Sequence, residues 1–201
     1  MKTIFTLLAA LISTGMLCAN STSLFNGKNL DGWVIESGGK FSVKDGNIHV
    51  NQGVGWLRSE DTYGDFTLIL EVRFLEKDAN SGIFIRTLKG NKDDENGWPA
   101  NGYQIQCRDT TEGATPLGTM INYGGPVSND VIDRDALENE AYLPTGDWHR
   151  MVIHCEGDRL TVILNGKVIM RSTGIMNSPG HIGIQGEHGL LEFRRIEIIQ
   201  Y

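Results

Sequence analysis

The stretch "GYQIQCRD", residues 102–109, places two amides on one face of an extended strand. Gln104 and Gln106 alternate with Tyr103, Ile105 and Cys107, and Asp109 closes the segment. Three other segments repeat the arrangement. "DFTLILEVRF" sets Glu71 and Arg73 opposite Leu70 and Val72, and "NSGIFIR" sets Asn80, Gly82, Phe84 and Arg86 opposite Ile83 and Ile85. "GHIGIQ" sets His181 and Gln185 together, with His188 in the turn that follows. Amides and charged groups form directed hydrogen bonds to hydroxyls, and rings stack on the apolar faces of sugars. Taken together, these residues suit a sheet that binds carbohydrate, whereas any one of them alone suits a solvent face. Trp98 and Tyr123, in the long connections, are the aromatic candidates for stacking, while Trp33 and Trp148 flank strand starts and read as core.

Other chemistries find no support in the sequence. It has no G-x-S-x-G elbow, no H-E-x-x-H and no phosphate-binding loop, and "GVGW" at 53–56 reads as a turn. No cysteine pair has zinc-ligand spacing. A retaining glycosidase needs two carboxyls about 5–5.5 Å apart. Glu71 stands alone on its strand and Glu138 and Glu140 fall in a loop, so ordinary two-carboxylate hydrolysis is not expected.

The elements that must hold these residues are strands. Clean alternation, Asp45-Gly46 and Asn165-Gly166 hairpin turns, and 25 glycines falling mostly between apolar runs predict an all-β, two-sheet antiparallel sandwich or jelly roll. The single helix-like run, near "DVIDRDALENE", is short. Two long connections, 87–101 and about 110–147, are where function or mobility is expected.

The composition suits one globular domain. Lys2, the apolar "IFTLLAALI" and the small-residue exit "STGMLCAN" read as a secretory signal peptide over residues 1–19, leaving 20–201 as a single exported domain. Leu17 disfavours lipidation at Cys18. No later segment reaches the ~18 apolar residues of a membrane span. Without residues 1–19 the chain carries 17 basic and 25 acidic residues, a balance of −8 with no basic cluster for nucleic acid. The two remaining cysteines, Cys107 and Cys155, lie on the apolar parity of their strands. They read as buried thiols, or as a disulfide contributing roughly 4 kcal/mol.

Seven blocks occur in order: "SLFNGKNLDGW", "DFTLILEVRF", "NSGIFIR", "GYQIQCRD", "GDWHRMVI", "LNGKVI" and "GHIGIQGEHGLLEFRRIEI". With them the chain resembles the 3-keto-disaccharide hydrolase domain family from about Ser23 to Ile199. The resemblance implies a concanavalin A-like jelly roll, export from a bacterium, and action on small carbohydrates whose sugar carries a 3-ketone. Asn80, Ser81, Gly82, Arg86, Asp109, Gln185, His188 and Arg194 match the family's recurrent polar positions. The chain departs from it at Gln104, where the family commonly has Glu, at His149, where Asn is frequent, and at Arg195, where "FRNI" is usual. A 3-ketone acidifies the C2 proton, so a base can form an enolate that expels the aglycone from C1. On this reading His188 or Glu71 is the base and Arg86 stabilises the enolate. Asn80, Phe84, Gln104, Gln106, Asp109, Tyr123, Gln185 and Arg194 contact the sugar, and a divalent metal cation on Glu71 and His188 is possible. The alternative is a non-catalytic carbohydrate-binding module on the same fold.

Overall fold

A computed structural model describes residues 21–90, 96–176 and 178–201. The expected signal peptide lies outside these residues. Two antiparallel sheets face each other. The larger runs β10 (Asn129–Ile132), β13 (Lys167–Thr173), β12 (Arg159–Leu164), β11 (Trp148–Glu156), β6 (Phe66–Phe74), β15 (Leu190–Gln200), β4 (Asn47–Asn51), β3 (Phe41–Lys44), with β1 (Thr22–Ser23) also on β15. The smaller runs β2 (Trp33–Ser37), β5 (Gly55–Ser59), β14 (His181–Gly186), β7 (Asn80–Thr87), β8 (Tyr103–Arg108), β9 (Met120–Asn122). The chain is a two-sheet antiparallel β-sandwich, as the alternation predicts.

The pleat sorts the residues. Phe66, Leu68, Leu70, Val72 and Phe74 of β6 are fully buried and meet Ile83, Ile85, Ile105 and Cys107 of the smaller sheet in one core. Each fully buried Leu, Ile or Phe contributes roughly 1.5–3 kcal/mol relative to exposure. The predicted hairpins form as expected. Asp45 and Gly46 both take positive φ, as do Asn165 and Gly166, the requirement of a type I′ turn. The "DVIDRDALENE" run splits into strand β10, a helical turn α1 (Arg134–Ala136) and a π-turn over Leu137–Ala141. Cys107 and Cys155 are free and buried, and burial raises both thiols, Cys155 to about 12. Trp33 is buried as expected. Trp148 is not core, because it lies on the outer face of the larger sheet with the Arg194 guanidinium 3.9 Å and that of Arg73 4.6 Å from its ring centre. No helix among the described residues is long and apolar enough to cross a membrane.

His149 is enclosed at the inner edge of β11, against Phe74 and Tyr142 with ring centres 5.5 Å away in each case. The Leu143 N–H donates to its Nε2 at 3.0 Å, which puts the ring proton on Nδ1. Burial lowers its proton affinity, against an opposing pull from Asp109. The unfolded chain therefore takes up a proton near pH 6.5 while the folded chain resists it to lower pH. Stability is unaffected by this group above pH 6.5 and falls as the pH drops below it. A His149→Asn variant, followed by urea unfolding from pH 7.5 to 5, should lose stability less steeply on acidification than the parent.

Candidate functional site

The outer face of the six-stranded sheet gathers most of the predicted sugar-binding residues. Register pairs Phe84 with Gln104, Gly82 with Gln106 and Gln185 with Trp56. None of these side chains is open to water: Trp56 and Phe84 are fully buried, and Gln104, Gln106 and Gln185 nearly so. The cover comes from the long connections. Tyr123 meets the Phe84 ring edge-on at 5.3 Å, Trp98 meets Tyr123 at 6.2 Å, and Trp98 Nε1 donates to the Gly186 carbonyl at 3.0 Å. The two aromatics expected to stack on a sugar thus roof the amide-bearing face.

Beneath this roof the amides are incompletely satisfied. Gln104 Nε2 donates to Gln106 Oε1 at 2.6 Å, but Gln104 Oε1 is buried without a partner. The same is true of Gln185 Oε1 and Asn80 Oδ1. A buried carbonyl left unpaired costs about 1–3 kcal/mol, so three on one face of neighbouring strands mark a face where hydroxyl donors belong. Gly82 serves the packing of its neighbour on β8. A Cβ there would lie 2.4 Å from the Gln104 side chain, so the missing side chain makes room for Gln104 itself.

At one rim stands a residue the sequence analysis passed over. Glu187 follows Gln185 by two, and its Oε2 accepts from Asn80 Nδ2 at 2.7 Å. Asn80 pairs with Arg108 on one side and bridges to His188 on the other. Burial raises the Glu187 carboxyl, while Arg108, His188 and the Asn80 bond pull it back. At the other end, Val34, Arg58, Glu60, Leu88, Lys89 and His181 line an open depression of about 800 Å³. His181 Nδ1 lies 3.0 Å from the Asp61 carbonyl.

Four expected site residues lie elsewhere. Arg86 breaks the alternation of its own strand. The β7–β14 register slips between His181 and Gly183, and Arg86 takes the left-handed φ of +52°. This bulge turns the guanidinium into the interior between the sheets, where it donates to the carbonyls of Gly157, Met176 and Gly64 and to Asp65 Oδ1. It faces no pocket. Glu71 belongs to the other sheet. Its carboxylate points off the outer face of β6, where Arg194 Nε donates to Oε2 at 2.6 Å and Arg195 Nη1 to Oε1 at 3.0 Å. A register slip after Arg194, with Arg195 at φ +51°, lets both arginines reach it. Arg194 is therefore part of this ion-paired cluster and not of the amide face. Asp109 is held by the Tyr142 and Thr145 hydroxyls, each at 2.6 Å, and serves the packing around His149.

These placements separate the expected metal pair. Both oxygens of Glu71 are taken by guanidiniums on the larger sheet, while His188 sits beside Asn80 at the edge of the smaller one. Glu71 and His188 do not fit a shared cation. Among the described residues, no group of three or more His, Cys, Asp or Glu is placed to hold a metal ion.

The sequence profile of a 3-keto-alpha-glucoside-1,2-lyase-like domain matches residues 20–199. The chain belongs to this family. Membership makes it a carbohydrate-active protein. No curated protein matches the chain in sequence. Among solved structures, one from Parabacteroides distasonis ATCC 8503, described as a glycosyl hydrolase, shares 22% identity at a TM-score of 0.67, covering 90% of this chain and 100% of its own. A carbohydrate-binding module from Bacillus subtilis shares 14% identity at a TM-score of 0.56, over 84% and 96% of the two chains. A beta-glucanase from Bacillus licheniformis shares 14% at 0.54, over 91% and 98%. At such identities the likeness is one of fold, a concanavalin A-like and galectin-like sandwich, and this family member shares it with catalysts and binders alike.

Proposed function

We propose that this chain cleaves the glycosidic bond of 3-keto-glycosides at the roofed outer face of the smaller sheet. The observation that carries the reading is the trio of buried, unpartnered carbonyls on Gln104, Gln185 and Asn80, which ask for hydroxyl donors on a face covered by aromatic rings. The family match supplies the substrate class. A ketone at C3 acidifies the proton on C2. Once that proton leaves, the enolate expels the aglycone from C1, and water adds afterwards to complete hydrolysis. Amide N–H groups and the Arg108 charge offer stabilisation where the enolate oxygen develops. An exported, periplasmic or extracellular setting belongs to the same proposal and rests on the signal-like residues 1–19.

The rival is a binding module that uses the same face without chemistry. Purified protein lacking residues 1–19 and given a chromogenic 3-keto-glucoside, with and without chelator, separates the two. Release of the chromophore is expected, and saturable sugar binding without release would establish the rival. Glu71→Gln should leave the release rate within about twofold, since Glu71 lies on the other sheet. A large loss at intact fold would return Glu71 to the chemistry.

A further inference from the structure

We propose that Glu187 removes the C2 proton of the bound 3-keto sugar and that Asn80 is its positioning residue. This rests on the functional reading above and assigns its proton-transfer step. Asn80 shares its side of β7 with Gly82 and Phe84, and Arg108 shares its side of β8 with Gln104 and Gln106. A carboxylate bonded to the Asn80 amide therefore sits at the rim of the amide face and not behind it. Two backbone bonds fix this rim: Asn80 N–H to the His188 carbonyl at 2.8 Å, and His188 N–H to the Asn80 carbonyl at 3.2 Å. They hold Glu187 against the start of β7, and the Asn80 amide then anchors Oε2 and leaves Oε1 for the incoming proton. The half-buried setting raises the carboxyl's proton affinity, which makes it a stronger base than a solvated carboxylate. His188, by contrast, is exposed.

The step balances without a cofactor. Glu187 takes the C2 proton as the C–H pair becomes the C2=C3 enolate. The enolate reforms the C3 carbonyl, its pair forms C1=C2, and the C1–O bond breaks toward the aglycone. The departing oxygen takes a proton from water, and Glu187 returns its own to solvent.

The test uses the protein without residues 1–19 and two substrates. A chromogenic 3-keto-glucoside reports release. Methyl 3-keto-glucoside, with a poor leaving group, reports exchange of the C2 proton in D2O by NMR. Glu187→Gln should cut both release and exchange by 10²-fold or more while sugar binding, measured by calorimetry, stays within a few-fold. His188→Ala should keep release within about tenfold. Asn80→Ala removes a bond that favours the ionised carboxylate, so the acidic limb of the kcat/KM profile should move to higher pH. A purely structural asparagine would not shift it. Glu187→Asp, which withdraws the carboxylate by one methylene, should also slow exchange and serves if the Gln variant does not fold. Full release and exchange in folded Glu187→Gln would overturn the assignment alone. No release and no exchange in the parent, despite sugar binding, would overturn the functional reading and this step with it.

Discussion

Replacing Arg86 by Met should destabilise the fold by about 3–5 kcal/mol, because three backbone carbonyls lose their donor at roughly 1–3 kcal/mol for each one left buried and unpaired. At the size of this domain that corresponds to a melting temperature lower by roughly 10 °C. The Arg86 side chain has no solvent exposure, and its two terminal nitrogens serve three backbone carbonyls and one carboxylate. Those carbonyls come from Gly157 in the β11–β12 turn, Met176 after β13 and Gly64 before β6, so one guanidinium ties three chain turns to the end of β7. Asp65 in turn accepts from the Gly157 N–H at 2.9 Å. A methionine fills the volume but satisfies none of these groups. Asp65→Asn should cost less, because Asp65 is 36% exposed and water can replace part of its role. Urea unfolding of both variants measures the difference. An Arg86 variant of unchanged stability that had lost sugar cleavage would put the guanidinium back in the chemistry.

The second large effect is expected to have opposite signs in stability and binding. Leucine at Gln185 or Gln104 removes a buried carbonyl that has no partner in the unliganded protein. Stability should hold, or rise by about 1 kcal/mol, because an unmade hydrogen bond no longer has to be buried. Sugar affinity should fall by tenfold or more, since a sugar hydroxyl bound at this face would then lack its acceptor. Gln185→Leu is the cleaner case, as Gln104 also donates to Gln106. Chemical denaturation and calorimetric titration with a 3-keto-glucoside give the two numbers. A parallel loss of both would show the amides to be structural.

Much of this architecture was legible in residue alternation. "DFTLILEVRF" and "GYQIQCRD" form the strands their period-two pattern predicts, because a half-buried strand must put every second side chain into the core. The glutamine face followed from the same rule. The failures have a common root. Alternation says which residues leave the core, but a sandwich has two outer faces and the pattern does not say which one a strand supplies. Glu71 and Gln104 share an outward parity and lie on opposite sides of the molecule. The rule also fails past a bulge, and Arg86 is the extra residue of one. Glu187 lies just beyond the end of β14, where period two no longer applies. Its partner Asn80 is 107 positions away in sequence, so only the folded chain brings the two together.

The two buried thiols give the protein its own unfolding clock. Cys107 and Cys155 line the core from opposite sheets, and burial suppresses the thiolate that reacts with electrophiles or disulfides. A thiol reagent therefore reads neither cysteine in the native state and both once the sandwich opens. At saturating reagent the labelling rate equals the opening rate, which makes an absorbance trace a direct measure of kinetic lifetime. With both thiols free, the sandwich needs no oxidant to reach its native state, so it should assemble equally well under reducing and oxidising conditions.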